Sequence, residues 1–366
     1  MENVQNHVRA QGGAPFSQRP FDVLDGLALT QIIYMPMEGF LTGDETAGLK
    51  ALWTFISLKT LDPFPTFYLR KCYAFLQCCA AAPRYDALSL FDYCNHIDPD
   101  QETQFCACTF ALPDGNRFVS FRGTDLSMTG WKEDFNMSFM TVPAQLEAVR
   151  YVEQAAAKFA GKLLLGGHSK GGNLALYAAC HVSEAVRERI ERVYSFDGPG
   201  VDKQTLGADG YQAVRDRVQS WIPQSSVIGM LLCYHPDYLV VKSSAAGLMQ
   251  HDVFTWHVEN GAFVSLQELD LSTRIANEAF SLWLDQHSEE ERKLMVEIVF
   301  KIVSGIGEDN IGPLYEDPRG SSLKMFSAFA KLDFEMRAKA VKLFAGLLST
   351  EAGYAIRQLL AKVLRT

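Results

Sequence analysis

The stretch LLLGGHSKGGNLAL, residues 163–176, decides the fold. Leu163 to Leu165 read as a short buried strand. Gly167-His168-Ser169-Lys170-Gly171 follows, and then an Ala- and Leu-rich helix over 173–182. A G-x-S-x-G between strand and helix demands a turn so sharp that the serine takes a strained backbone conformation. Gly167 and Gly171 remove the side chains that would clash there, and Gly172 lets the helix approach the strand. The turn lifts the Ser169 hydroxyl above the sheet. It also sets the Lys170 backbone N–H at the helix start, where the dipole favours a developing oxyanion. The pentapeptide alone is a weak signal. With the strand before it and the helix after it, Ser169 is the candidate nucleophile.

Working outward, the pattern keeps alternating. Residues 105–112 and 117–122 are strand-like runs around Pro113-Asp114-Gly115-Asn116, a strong hairpin signal. Further short buried strands are expected at 193–196, 218–222 and 238–242, and an amphipathic helix at 143–161. Helices are also expected at 21–35, 49–58 and 66–80. Short apolar strands alternating with helices mean an α/β fold with a mostly parallel central sheet and crossover helices. From about residue 269 the pattern is all helical. Ser288-Glu289-Glu290-Glu291 reads as a capping box, and amphipathic helices follow near 321–332, 334–348 and 351–364. The expected division is a flexible lead-in over 1–20, a sheet domain over 21–265, and a helical region over 266–366 packed on it.

A nucleophilic serine needs a base and an acid to orient it. In this architecture they follow the serine in the order acid, then His. His251 lies in a loop after the expected strand at 238–242, where a base can hang over the nucleophile, and it is the preferred candidate. His257 looks like a half-buried extended residue, His235 like a surface turn residue before Pro236, and His181 points away at the end of the nucleophile helix. Asp197, in Ser195-Phe-Asp197-Gly-Pro-Gly200, directly follows a buried strand. That delivers a carboxylate to the carboxyl edge of the sheet, the edge that carries sites in open α/β folds. An Asp before Gly-Pro can instead serve only to shape an Asx-turn. After the next strand stand Pro223-Gln-Ser-Ser226 and no carboxylate. Asp237 is a weaker candidate, and Asp252 would have to fold back on its own neighbour. The second oxyanion donor is expected from Arg122-Gly123-Thr124, where Thr124 offers an N–H and a hydroxyl.

At this point the sequence resembles known proteins. FRGTD (121–125) followed by GWKEDFNMSF (130–139) is similar to the RGT segment of class 3, fungal-type lipases, and GGHSKGGNLALYAA (166–179) to their nucleophile elbow. With SFDGPG (195–200) and MQHDVFTW (249–256), the set resembles a bacterial family of lipase-like hydrolases, the Mbeg-like family, over roughly residues 21–258. The resemblance implies an α/β-hydrolase fold with a C-terminal helical appendage. It implies Ser169 as nucleophile, His251 as base, and Thr124 with Lys170 as oxyanion donors. Class 3 lipases carry an Asp where Ser225 or Ser226 stands here. Either Asp197 has taken over from the preceding strand, or the site lacks a conventional acid; the first is expected.

Composition narrows the partners. The chain has 366 residues, with 34 Lys and Arg against 43 Asp and Glu, a net charge of −9. That balance argues against nucleic acid, which needs clustered cations. It also does not favour adsorption to anionic membranes, so a monomeric or dispersed acyl ester, small or lipid-like, is the expected substrate. No apolar run approaches the roughly 20 residues of a membrane-spanning helix, and the polar start does not read as a signal peptide. The eight cysteines show no CxxC spacing and read as reduced, packed thiols. Together these point to the cytoplasm. No HExxH, P-loop or Rossmann fingerprint appears, so neither a metal nor a cofactor is expected. The aromatic run at 52–73 and the segment 126–142, with Met128, Trp131, Phe135, Met137, Phe139 and Met140, read as core or as the wall of an acyl groove. The C-terminal helices offer a surface for a second copy of the chain. The function expected is a serine carboxylic-ester hydrolase of the esterase or lipase type. An acyltransferase or thioesterase using the same Ser–His chemistry, and a hydrolase-fold binding protein without turnover, are the competing readings.

Overall fold

The computed structural model describes residues 2–41, 45–59, 66–124, 128–137, 140–226, 228–232, 235–305 and 318–349. The chain divides into two compact units. One comprises Met1–Ile97, Gln104–Gly123 and Pro143–Leu269; the other Asp98–Thr103, Thr124–Val142 and Asp270–Thr366. The second unit thus recruits two segments from inside the expected sheet domain. The strip 124–142 belongs with the C-terminal helices rather than with the sheet.

In chain order the described helices are α1 (Val4–Gln11), α2 (Val23–Ile32), α3 (Leu49–Ser57), α4 (Phe67–Ala81), α5 (Met128–Asn136), α6 (Pro143–Lys158) and α7 (Lys170–His181). Three short ones follow, α8 (Glu184–Arg187), α9 (Lys203–Gly207) and α10 (Asp209–Val214). The last are α11 (Leu271–Gln286), α12 (Glu289–Val303), α13 (Pro318–Lys331) and α14 (Phe334–Ser349). The strands are β1 (Ser89–Asp98), β2 (Thr103–Ala111), β3 (Arg117–Phe121), β4 (Leu163–His168), β5 (Ile190–Phe196), β6 (Val218–Pro223), β7 (Leu239–Val241), β8 (Val258–Glu259), β9 (Ala262–Phe263) and β10 (Ser265–Leu266).

Eight strands form one sheet in the order β1-β2-β3-β4-β5-β6-β7-β10. β3 through β7 run parallel, while β2 pairs antiparallel with β3 and β10 with β7. The expected hairpin closes with the Leu112 N–H donating to the Asn116 carbonyl at 3.0 Å. This is a mixed α/β architecture with a mostly parallel sheet flanked by helices, as the alternation of short strands and helices required.

Register fixes which side chains face which helix. Phe118, Leu164 and Arg192 align across β3, β4 and β5, as do Ser120, Gly166 and Tyr194. Successive residues of a strand point to opposite faces. The Phe118, Gly166 and Tyr194 face meets α2: the Ser120 hydroxyl donates to the Leu29 carbonyl at 3.3 Å, and Gly26 lies against Phe118 and Tyr194. The Gly167 and Ser195 face meets α7. A sheet covered on both faces explains why β4 is buried along its whole length.

The lead-in carries regular structure. Residues 4–11 form α1, closed by a capping box between Asn3 and Asn6, with Val4 and Val8 buried. Residues 14–20 are tied down by Arg84, which is 1 % exposed. Its guanidinium donates to the carbonyls of Ala14, Arg19 and Pro20 at 3.0, 2.8 and 3.1 Å, and pairs with Asp25. An arginine fork can satisfy a carboxylate and several carbonyls at once, which orders a segment poor in apolar residues of its own.

In the second unit, α11 to α14 build a small core of Trp283, Ile298 and Ala340. The expected capping box of α12 is present, with Ser288 and Glu291 bonded reciprocally. The helix expected at 351–364 lies outside the described residues. Among the described residues no helix is long and apolar enough to cross a membrane. Among the described residues seven cysteines are free, Cys72, Cys78, Cys79, Cys94, Cys106, Cys108 and Cys180; burial pushes all of their thiols up.

Candidate functional site

The chain passes from β4 to α7 through Ser169, whose backbone sits at φ 59°, ψ −133°. A non-glycine residue at positive φ is held there only when its surroundings over-determine it. The surroundings are visible at the two elbow glycines. A Cβ on Gly171 would lie 2.1 Å from the Phe121 carbonyl oxygen, and one on Gly167 would lie 2.0 Å from the Gly171 backbone. β3, β4 and α7 therefore converge at a distance only glycine permits. The Ser169 N–H donates to the Phe196 carbonyl at 3.0 Å and locks the elbow to β5. The turn after β3 also presses on it: a Cβ on Gly123 would stand 3.0 Å from the Ser169 Cβ.

Asp197 and His251 come together. The His251 Nδ1 lies 2.7 Å from the Asp197 Oδ2. Asp197 follows β5 directly, at φ 47°, and is 1 % exposed. Its second oxygen, Oδ1, accepts from the Ser226 hydroxyl at 2.5 Å and from the Gly229 N–H at 3.1 Å. A buried carboxylate with three partners is satisfied and fixed in orientation. Ser226 follows β6, one of the two positions where the lipase resemblance leads one to look for an acid. There it supplies a donor to the carboxylate that arrives from β5.

The loop carrying His251 is held from several directions. Gln250, 3 % exposed, accepts from the Ser225 N–H at 2.9 Å and donates to the Ala245 carbonyl at 3.0 Å. The Trp256 indole N–H donates to the Gln250 carbonyl at 2.8 Å. Asp252 is bound by Lys71 of α4 and caps the Phe254 N–H, so it has no part in facing His251. Phe254 packs edge-on against Phe75 of α4.

His168, the residue before Ser169, is a member of this site that sequence reasoning passed over. Strand alternation sends it to the α2 face of the sheet, where it is 2 % exposed. Its Nε2 lies 2.9 Å from the His251 carbonyl oxygen, and its Nδ1 lies 3.1 Å from the Tyr34 hydroxyl and 3.2 Å from the Tyr68 hydroxyl. A carbonyl can only accept, so Nε2 carries the proton and Nδ1 accepts. Tyr68 donates to Gln31 at 2.5 Å, which leaves Tyr34 as the donor to Nδ1. The His168 and His251 rings lie with centroids 4.5 Å apart, tilted by 32°. Burial, helped by the neighbouring His251, pushes the His168 imidazole well below its ordinary value. His168 is thus neutral, and it holds the backbone of His251 itself. A histidine in the elbow, with one tyrosine just after α2 and another in α4, was the available signal, but nothing in the sequence joined them.

The remaining expectations distribute as follows. Lys170 opens α7, so its N–H stands at a helix N-terminus; its side chain is 1 % exposed, with Nζ 3.1 Å from the Gln104 Oε1. Thr124 belongs to the second unit, where its hydroxyl donates to Asp134 of α5 at 2.5 Å. His235 is not a surface residue: it is 4 % exposed and lies 2.9 Å from the Tyr211 hydroxyl, because α10 closes over it. His257 precedes β8 and is buried; the His181 Nδ1 donates to the Tyr177 carbonyl of its own helix at 2.9 Å. Asp237 is exposed. Of the segment 126–142, Met137 is buried and Met140 is 49 % exposed, while Phe139 lies outside the described residues.

Comparison with known proteins adds three findings. No curated protein matches the chain. Among solved structures it is similar, at 12 % identity, to the native Rhizomucor miehei lipase propeptide complex, with a TM-score of 0.34 over 67 % of this chain and 82 % of that one. A deletion mutant of the same complex matches at 12 % identity and a TM-score of 0.33, over 62 % of this chain and 69 % of that one. A family model described as Mbeg1-like matches residues 79–301, which span the hairpin, the elbow, Asp197 and His251. That is more than half of the chain, and the chain belongs to the Mbeg1-like family.

Proposed function

We propose that the chain is a serine carboxylic-ester hydrolase on an α/β-hydrolase fold, with Ser169 as nucleophile, His251 as general base and Asp197 as the acid that orients it. The observation that carries this reading is the 2.7 Å contact between the His251 Nδ1 and a buried Asp197, on the loop that follows the strained Ser169 elbow in the order Ser, Asp, His. In turnover, the Ser169 Oγ attacks the acyl carbonyl while the His251 Nε2 takes its proton. The imidazolium then hands that proton to the leaving alkoxide, and an acyl-serine forms. Water attacks the acyl-serine and gives a proton to His251, which returns it to the leaving Ser169 Oγ as the acid is freed. Asp197 keeps the proton of the resting imidazole on Nδ1 and stabilises the cation. The Lys170 N–H, at the start of α7, is one donor to the oxyanion. A binding module without turnover has no need of a carboxylate held on Nδ1, so the Asp197 contact favours the enzyme.

The test is labelling with a fluorophosphonate probe, followed by a panel of esters of rising acyl length. The wild-type chain takes the probe, and Ser169→Ala abolishes both labelling and ester turnover. Labelling that survives the substitution overturns the assignment of the nucleophile. Labelling of the wild type without turnover of any ester points to an acyltransferase or thioesterase using the same serine, and no labelling of the wild type restores the non-catalytic reading.

A further inference from the structure

The C-terminal helices carry a feature that ester chemistry does not use. Phe329 of α13 and Met336 and Ala340 of α14 turn inward onto the small core of the second unit. The opposite faces leave large apolar side chains in water. Leu323 and Phe326 are 74 % and 72 % exposed, and Phe334 and Val341 are 82 % and 57 % exposed. Leu323, Phe326 and Ala330 recur at helical spacing, as do Phe334, Ala338 and Val341, so each helix presents one outward apolar stripe. Exposed Lys324 and Lys331 border the first stripe, and Lys339 and Lys342 the second.

Charge says what covers these stripes. Residues 318–349 hold six Lys and Arg against two Asp and Glu. Over 318–366 the count is nine against three, a net +6, which leaves −15 on residues 1–317. The chain's −9 therefore averages two regions of opposite sign, and the argument it gave against anionic surfaces does not apply to these helices. A second copy would bring the same cations against themselves. An anionic lipid surface takes the aromatic and leucine side chains below the headgroups and meets the lysines at headgroup level, where long stems reach outward.

We infer that α13 and α14 form a docking surface for bilayers that carry anionic lipids. This goes beyond the hydrolase reading and does not depend on it. The full chain is mixed with vesicles of phosphatidylcholine alone, or with about a third phosphatidylserine, and bound protein is read by flotation. The expected result is binding to the phosphatidylserine vesicles, little to phosphatidylcholine alone, and release at high salt. Phe326→Ser with Phe334→Ser lowers partitioning by about tenfold or more. Lys331→Gln with Lys342→Gln lowers it by roughly fivefold per lysine, and this pair stands as the test should the serine variant misfold. No binding to either vesicle overturns the inference, as does equal binding to both. A lipid-free chain that sediments as a dimer, and becomes a monomer on Phe326→Ser with Phe334→Ser, assigns the surface to a second copy and also overturns it.

Discussion

Asp197→Asn is the substitution whose outcome the geometry determines most closely. Asp197 presents two different oxygens. Oδ1 accepts from two donors, the Ser226 hydroxyl at 2.5 Å and the Gly229 N–H at 3.1 Å, while Oδ2 faces the His251 Nδ1 at 2.7 Å. An asparagine must put its carbonyl oxygen where the two donors are. Its NH2 group then faces Nδ1 and can only donate to it. His251 is forced into the tautomer that carries its proton on Nε2, the nitrogen that has to accept the proton of Ser169. Shape and packing are kept, because the side chains are isosteric, but the base is switched off. The expected loss is about 10⁴-fold in kcat, or ~5.4 kcal/mol of transition-state stabilisation, with KM little changed. The assay is steady-state hydrolysis of a short p-nitrophenyl ester, with circular dichroism to verify the fold. Ser226→Ala removes one donor and leaves the carboxylate, so it is expected to cost about tenfold. A correctly folded Asp197→Asn chain within about tenfold of wild-type kcat refutes the reasoning. Asp197 would then be a turn-shaping residue, and His251 would act without it.

Three further outcomes follow from the packing. Gly171→Ala sets a Cβ 2.1 Å from the Phe121 carbonyl oxygen, a backbone clash worth about 3 kcal/mol or more. A Tm within about 2 °C of wild type in a thermal scan argues against it. Arg84→Met removes the guanidinium that pairs with Asp25, 0 % exposed, and leaves it the Tyr85 hydroxyl and the more distant Arg19, at a cost of about 3–5 kcal/mol. Urea unfolding measures the loss, and limited proteolysis is expected to cut within residues 12–22 of the variant; an uncut segment refutes the tie. His168 ties stability to pH. Burial holds its imidazole well below the ordinary histidine value of about 6.5, so the unfolded chain takes up a proton that the folded chain refuses. Stability is full above about pH 6.5 and falls with acid, by ~1.4 kcal/mol per pH unit at most, until the folded group titrates. Asp22, pushed up to about 6 by burial and by Asp25, pulls the other way in both chains and drops out when wild type is compared with His168→Gln. The variant is expected to lose this acid slope in urea titrations at pH 7.5 and 5.5; an unchanged slope refutes the neutral His168.

The parts of the fold legible in the sequence were those in which one strong local signal agreed with burial. β4, β5 and β6 are apolar runs between two helical layers, and the Asp-Gly turn of the β2–β3 hairpin needs no distant partner. β1 lacked both advantages. Of its ten residues only Leu90 and Phe91 are buried, and Asp92 interrupts the strand at φ 53°, so no alternation is present to read. α1 was missed for a different reason. It is polar, and its order comes from contacts far along the chain: Cys78 of α4 donates to the Gln5 carbonyl at 3.8 Å, and the Val258 N–H donates to the Glu2 carbonyl at 2.9 Å. Likewise a lone His before Pro236 says nothing of the tyrosine in α10 that buries it.

The acid marks where reading along the chain has to give way to reading across the sheet. Phe196 of β5 is in register with Trp221 of β6, and the Asp197 N–H donates to the Trp221 carbonyl at 2.7 Å. The loops after these two neighbouring strands therefore leave the sheet side by side, and the hydroxyl of Ser226 reaches the carboxylate of Asp197. A carboxylate on either loop stands in the same small region beneath the base. Exchanging its position for that of a hydroxyl keeps both the acid and a donor to it, with Gly229 bonding to Asp197 and to Ser226 alike. The sequence shows only that an Asp follows one strand and a Ser follows the next. The expectation that the two positions can serve one function rests on strand register, which no motif records. On this account the reciprocal variant, Asp197→Ser with Ser226→Asp, recovers turnover relative to Asp197→Ser alone. Equal turnover of the two variants would mean that the loops are not equivalent and that only the β5 position orients His251.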